Sequence, residues 1–191
     1  VFEERVNWSP LCTRDDQIQW FYPMDNVFYA YTAKDAPNFQ VLKTDLWNPD
    51  FENAEVFIPE PQAGIIEDFV FTSDACFYTV KSNGTLTELF RKDDSGISKV
   101  KLPVAAGSVY VDTKGHKFSD IWVSLTGWTL DGNRYRINPG DGSFSEEQLS
   151  NKAEYPEYAD MVVEELMVPS HDGVEVPVSL VYRKGIERDG T

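Results

Sequence analysis

The chain has 191 residues, 41% of them hydrophobic and 14% aromatic, which is enough for one full domain, or one domain and part of another, and excludes wholesale disorder. Its 32 acidic and 17 basic residues give a net charge of −15, which disfavours nucleic acid and anionic membrane surfaces as partners. This charge indicates either a solvated acidic surface or an attraction for cationic peptides and ions.

Short runs of β-branched and aromatic residues, separated by Gly, Asn, Asp and Pro, predict an all-β protein with a strand roughly every ten residues. The pairs Asn83-Gly84, Asp131-Gly132 and Asp172-Gly173 are predicted to form tight turns, because these residues adopt a positive φ easily. The predicted strands are residues 27–32, 39–46, 54–58, 65–72, 75–81, 85–91, 97–102, 108–113, 120–126, 133–138, 161–168 and 175–182.

The strands form a repeat. An aromatic-rich segment at residues 27–32 recurs at 76–81 and again at 121–126, at intervals of roughly 45 to 50 residues. Each copy is followed by a strand that ends in a polar turn, and a shorter polar strand closes each unit. Four antiparallel strands per unit of this length are typical of a β-propeller blade, whereas a β-sandwich would not explain the recurring aromatic second strand.

We therefore expect about three four-stranded blades, at residues 17–60, 64–103 and 107–149. A propeller ring has about four to eight blades, so three blades predict a longer parent protein. The first residue is not a methionine, and the last residues form a polar stretch after a strand, which also indicates a piece of a longer chain. Edges of neighbouring blades left open would permit self-association.

The repeat ends near residue 150. Residues 150–158 are polar and contain a proline, as is typical of a linker. The strands 161–168 and 175–182 then form a long hairpin around the turn 170–173, with a different hydrophobic register. We expect residues 1–155 to form a partial propeller, and residues 156–191 to form a linker and the truncated start of a second domain.

Few residues offer catalytic or cofactor chemistry. Two cysteines and two histidines are too few for a structural zinc site, and Cys76 is interpreted as a small buried residue because it lies in an apolar run. The glycines form no phosphate-binding loop, and no G-x-S-x-G elbow presents a nucleophile. The acidic turn at 141–147 lacks the ligand spacing of a calcium loop, and no run of about 18 apolar residues predicts a membrane span.

Ser170-His171-Asp172 places the three residue types of a serine hydrolase triad side by side. A triad needs converging side chains, whereas neighbouring residues of an extended chain point to opposite faces and a turn separates them further. We therefore interpret this segment as a hydrogen-bonded turn. A second candidate is an aromatic stripe, which could be a sugar- or peptide-stacking platform but is explained more simply by packing between blades. Its members are Phe28, Tyr29, Tyr31, Phe77, Tyr78 and Trp122.

Two segments resemble the prolyl oligopeptidase family of serine peptidases. Residues 163–178 resemble the family's domain junction, a Pro-Ser-Lys-Asp-Gly turn before a valine and a proline, with His171 where lysine is usual. The chain continues in register to Lys184-Gly185. Residues 31–39 and 43–46 resemble a segment of the same family's propeller. The resemblance covers nearly the whole chain, with residues 1–20 matching least.

This resemblance implies a seven-bladed propeller that caps an α/β-hydrolase domain, and a parent that cleaves short peptides after proline through a Ser-Asp-His triad. In the family these catalytic residues lie beyond the matched segment, so we expect no catalytic, cofactor-binding or metal-binding residue in this chain and no peptidase activity of the chain alone. The propeller would admit short proline-containing peptides and exclude folded proteins. The alternative is a propeller-type binding or scaffold module without an enzymatic parent, and the compartment stays open between cytoplasm and periplasm.

Overall fold

The computed structural model describes residues 8–83, 85–148, 150, 155–187 and 189. The chain divides into two compact units, Val1–Ile65 and Ile66–Thr191, which are described separately. Two 3₁₀ turns, Arg14–Asp16 and Pro156–Tyr158, accompany the strands. Neither they nor any other helix of the described residues has the length and apolar character needed to cross a bilayer.

The first unit is a four-stranded antiparallel sheet in which each strand pairs with the next along the chain. Its core is formed by buried Phe28, Ala30 and Leu42. The Phe28 ring stacks on Phe21 at 5.1 Å and meets Phe51 edge-on at 5.7 Å, so aromatic contacts dominate this core. The strands are β1 (Ile18–Met24), β2 (Val27–Thr32), β3 (Gln40–Asp45) and β4 (Glu55–Ile58).

The second unit contains two further four-stranded antiparallel sheets of the same sequential order. One sheet comprises β5 (Ile65–Phe71), β6 (Cys76–Ser82), β7 (Leu86–Asp93) and β8 (Gly96–Val100). The other comprises β9 (Ser108–Thr113), β10 (Ile121–Gly127), β11 (Leu130–Ile137) and β12 (Phe144–Glu146). A two-stranded hairpin, β13 (Met161–Pro169) and β14 (Glu175–Arg183), follows.

One hydrophobic core joins these two sheets. Val123 and Leu125 of β10 and Leu89 of β7 are fully buried in it, beside Phe77 of β6. In β9 the alternation of the strand directs Val109 into this core, while Tyr110 on the other face is exposed. A buried side chain of this size contributes about 1.5–3 kcal/mol, so this core is the main stabilising feature of the second unit.

The predicted aromatic second strands are confirmed, since the repeated segments form β2, β6 and β10, each the second strand of its sheet. Four members of the aromatic stripe, Phe28, Tyr29, Phe77 and Tyr78, are buried and so do not form an exposed stacking platform, while packing between blades stays a prediction. Tyr31 is half-buried and stacks on Phe39, and Trp122 is also half-buried. In β6 the whole run from Cys76 to Val80 is buried, because both faces of this strand are covered.

Two of the three predicted turns are placed correctly. Asn83 has a φ of 51° between β6 and β7, its neighbour Gly84 lies outside the described residues, and Gly173 has a φ of 82° between β13 and β14. The prediction of a turn at Asp131-Gly132 is wrong, because β10 ends and β11 begins around Trp128 and Thr129. Gly132 lies inside β11 with a φ of 65°, next to a register shift between Leu125 and Gly127. Its positive φ therefore serves a β-bulge beside the turn.

The sequence prediction lacked two strands, β1 and β12. β1 contains Pro23, which argues against a strand but is tolerated here because β1 lies at one edge of its sheet. β12 spans only Phe144–Glu146, which is too short for an alternating pattern to be recognised.

Candidate functional site

The Ser170–Asp172 segment forms a turn, as predicted. Ser170 N–H donates to the Val174 carbonyl at 2.8 Å, and Gly173 N–H donates to the Ser170 carbonyl at 2.9 Å. The Ser170 hydroxyl lies 3.2 Å from His171 Nδ1, but the Asp172 carboxylate accepts the Val174 N–H at 3.1 Å. The carboxylate is therefore used by the turn, and the three side chains do not have the hydrogen-bond chain of a hydrolase triad.

The cysteines show no catalytic arrangement. Cys76 is buried in β6, and burial raises the pKa of its thiol well above the ordinary value, which keeps it protonated and unreactive at neutral pH. Cys12 is exposed and unpaired with Cys76. Among the described residues, no group of three or more His, Cys, Asp and Glu side chains could hold a metal ion.

The end of the third sheet from which the chain leaves toward β13 is the main candidate region. Because β10 and β12 run in the same direction, the turn after Gly127 lies at the same end of the sheet as the exit from β12. Glu147 N–H donates to the Arg134 carbonyl at 2.9 Å, which directs the exiting chain along β11 toward that turn. We call this end of the third sheet the linker-side end.

A cavity of about 200 Å³ opens at the linker-side end, between the hairpin and the two sheets of the second unit. It is lined by Val163 and Glu165 of β13 and by the turn after β10. The segment before β9 is tied to β7, since Thr87 N–H donates to the Ala106 carbonyl and the Thr87 hydroxyl donates to the Gly107 carbonyl, both at 2.9 Å. The opposing residues are Thr85, Leu86, Ala105, Ala106, Gly107, Gly127, Trp128, Thr129 and Leu130.

A second cavity, of about 310 Å³, lies between β5, β6 and β9. Lys81 and Glu67 form an ion pair at 3.4 Å on its wall. Thr79 also lines it and is almost wholly buried, and within the described residues its hydroxyl has no hydrogen-bond partner. Desolvation, reinforced by the neighbouring carboxylates of Asp112 and Glu67, raises the pKa of Asp68. This cavity suits water or another small polar group rather than an apolar one.

The outer face of the third sheet carries a charged cluster around Trp122. The charged ends of Lys114, Arg134 and Arg136 lie 5.5–5.8 Å from the centre of the indole ring. Arg134 pairs with Asp112 at 2.6 Å, and Arg136 and Lys114 both pair with Asp120 at 2.6 and 3.1 Å. The hydrogen bond from Lys114 is the main cause of the lowered pKa of Asp120. Sequence reasoning missed this cluster, because its members are spread over four segments.

The chain is similar to a known protein family, to named relatives and to solved structures. The family described as "Prolyl oligopeptidase, N-terminal beta-propeller domain" matches residues 2–145. The prolyl endopeptidase of Elizabethkingia meningoseptica is 26% identical over 192 residues, covering 98% of this chain and 26% of that protein. A solved prolyl endopeptidase structure has a TM-score of 0.76 at 19% identity, covering 90% of this chain and 25% of that one.

Prolyl oligopeptidase B from Galerina marginata, solved with a 35-residue hydrolysis and macrocyclization substrate, has a TM-score of 0.70 at 19% identity, over 87% of this chain and 23% of that one. The chain thus spans about a quarter of the length of the proteins it matches. The all-β sheets have propeller neighbours, and the resemblance found in the sequence is confirmed. Because the family match extends over residues 2–145, the chain belongs to the prolyl oligopeptidase N-terminal β-propeller family.

Proposed function

We propose that this chain is the propeller portion of a serine endopeptidase that cleaves short peptides after proline, and that the propeller restricts which substrates reach the catalytic centre. The family match over residues 2–145 is the observation that carries this proposal. Two observations support the substrate class: one relative is named a prolyl endopeptidase, and the Galerina marginata enzyme was solved with a peptide substrate.

In this proposal the three four-stranded sheets are successive blades of a seven-bladed ring, over residues 17–60, 64–103 and 107–149. The hairpin β13–β14 is the first hairpin of the hydrolase domain, and residues 156–160 belong to the linker. The exposure of the hairpin supports this assignment. Val163 pairs with Val181 on one face and Val168 pairs with Val176 on the other, and all four are exposed. An isolated two-stranded hairpin is marginal in water, so these apolar faces suit a larger domain.

The linker-side end then faces the hydrolase domain. This orientation is supported by the exit of the chain from β12 at that end and by the cavity that β13 shares with the turn after β10. Densely packed blades leave only narrow passages between strands, so an extended peptide could enter where a folded protein could not. Movement between the two domains would set the rate of entry.

The catalytic serine, aspartate and histidine would be supplied by the parent outside this chain. The described residues instead contribute shape and charge, since the Ser170–Asp172 turn lacks the triad arrangement and Cys76 is inert. We expect the chain alone to have no peptidase activity, because Asp172 is used by the turn and does not complete the Ser170–His171 pair as a triad.

The test compares the full-length parent with the isolated chain on two fluorogenic peptides that differ only in proline or alanine before the scissile bond. The parent should cleave the proline peptide, and the chain should give background rates with both. A second arm places the same proline sequence in a loop of a folded protein, which the parent should leave intact. Turnover by the chain, equal rates on the two peptides, or a parent without a hydrolase domain would each contradict the proposal; the last would support a binding or scaffold module.

A further inference from the structure

A further pocket lies beside the turn after β10, whose residues it shares with the cavity at the linker-side end, and we call it the Trp128 pocket. Its volume is about 230 Å³. It is formed by the turn and by the 3₁₀ turn that precedes β13, so both walls belong to the second unit. The lining residues are Gly127, Trp128, Thr129, Leu130, Asp131, Tyr155 and Tyr158.

Three of these residues are exposed aromatic side chains. Trp128 is 63% exposed, and Tyr155 and Tyr158 are 41% and 42% exposed. The two tyrosine rings lie 5.4 Å apart at an angle of 30°, because Tyr158 N–H donates to the Tyr155 carbonyl and the 3₁₀ turn aligns residues three apart. Within the described part of the chain, the Trp128 indole makes no ring contact or hydrogen bond. The pocket is therefore walled by aromatic surfaces that are not used for packing against one another across it.

The same pocket carries one carboxylate and no basic side chain among its lining residues. Asp131 Oδ2 accepts the Tyr155 hydroxyl at 3.0 Å, which fixes the carboxylate at the mouth and leaves Oδ1 for another donor. This hydrogen bond is the main cause of the raised pKa of Tyr155, as expected beside a negative charge. With a net charge of −15 on the whole chain, the field here favours a cation and repels an anion.

We propose that the Trp128 pocket binds the guanidinium group of an arginine side chain in a peptide. A guanidinium is planar and weakly hydrated, stacks on indole and phenol faces, and can donate a charge-assisted hydrogen bond to the Oδ1 atom that Asp131 leaves free. An ammonium group lacks the flat surface, and a neutral side chain lacks the charge attraction to Asp131. The aromatic walls and the single carboxylate thus match arginine in both shape and charge.

Arginine binding by the Trp128 pocket does not require the parent to be a peptidase. The Trp128 pocket would be one defined location at which this acidic chain attracts a cationic peptide. Its other candidate occupant is a segment of the parent itself, which the experiment separates from a peptide ligand.

The experiment is isothermal titration of the 191-residue chain, and of the full-length parent, with three short blocked peptides that differ at one position: arginine, lysine or citrulline. Citrulline has the shape of arginine without its charge. The arginine peptide should bind with a Kd of about 1–10 mM, as expected for one stacked and ion-paired group. The lysine peptide should bind less tightly, and the citrulline peptide at least about fivefold more weakly than arginine.

Two substitutions in the pocket and two matched controls locate the site. Trp128→Ala and Asp131→Asn should each weaken binding of the arginine peptide about two- to fivefold. Trp47→Ala, which removes another exposed tryptophan in the first unit, and Glu157→Gln, which removes a neighbouring exposed carboxylate outside the pocket lining, should leave the affinity unchanged. Circular dichroism of each variant checks that it is folded.

Four results would overturn the proposal. Equal affinity for citrulline and arginine would exclude recognition of charge, and lysine binding as tight as arginine would exclude the guanidinium. An unchanged affinity of both pocket variants would place the binding elsewhere. Binding by the chain but not by the full-length parent would show that the parent's own residues occupy the pocket. Because none of these readouts uses peptide hydrolysis, their failure is distinguishable from failure of the proposed peptidase function.

Discussion

The two paired sheets of the second unit and the hairpin that follows them use similar residues with opposite results. β10 buries Ile121, Val123 and Leu125 against the neighbouring sheet. β13 and β14 are also rich in apolar residues, with three valines each, yet none of their residues is fully buried. The difference teaches that apolar composition forms strands in both regions, but only a second sheet converts it into a core.

The largest effect on stability is expected for a substitution in the core between the two sheets. Leu125→Ala removes a fully buried side chain and should lower the free energy of unfolding by about 2–5 kcal/mol, through lost burial and the cavity left behind. Met167→Ala removes a side chain of equal atom count that is 49% exposed in β13, and should cost less than about 1 kcal/mol. Urea denaturation of both variants makes the measurement. Equal losses would mean that the hairpin is packed as tightly as the sheets.

The second prediction uses alkaline pH to probe burial in β6. Burial raises the pKa of Tyr78 to about 12 from the model-compound value of 10.0. Between these values the folded state keeps a proton that the unfolded state has lost, so stability is present below pH 10 and declines as pH rises toward 12. The wild type should lose on the order of 1–3 kcal/mol more than Tyr78→Phe across this window. Parallel pH profiles of the two proteins, measured by urea denaturation, would refute the assignment.

A smaller effect is expected at Gly107, which lies close to the backbone of Thr85 at the linker-side end. A Cβ atom at position 107 would lie 3.3 Å from the Thr85 carbonyl oxygen, which is backbone and cannot swing aside. Gly107→Ala should therefore destabilise the chain by about 1 kcal/mol. Gly140→Ala is the matched control, because its Cβ would meet only the Asn138 side-chain oxygen at 3.4 Å, and it should stay within about 0.5 kcal/mol of wild type. Thermal unfolding compares the two, and a neutral Gly107→Ala would show that the backbone at Thr85 yields.

Most of the strand pattern could be predicted because its causes are local. Alternating apolar residues and turn residues with positive φ locate the strands, and the recurrence of aromatic segments such as 27–32 and 76–81 reveals the repeating unit. Failures occurred where tertiary context decided. Pro23 is tolerated only because β1 is an edge, and Gly132 uses its positive φ in a bulge rather than in the turn.

The surface sites were beyond sequence reasoning for a different reason. The cationic neighbours of Trp122 lie on β11, which pairs with β10, and in the loop after β9. The cluster therefore has no short sequence motif. The Trp128 pocket likewise joins two turns separated by more than twenty residues, through the hydrogen bond from Tyr155 to Asp131. In both cases contacts between segments distant in the sequence bring the side chains together.

The two hydrogen bonds of Thr87 have a consequence for how the second unit opens. The Thr87 amide and hydroxyl hold the carbonyls of Ala106 and Gly107, immediately before β9. Since Leu89 of β7 also packs in the core beneath β10, neither sheet can separate without breaking polar and apolar contacts at once. The two sheets should therefore behave as a single cooperative foldon, in which central amides of β6 and β10 exchange with solvent deuterium at the same opening free energy.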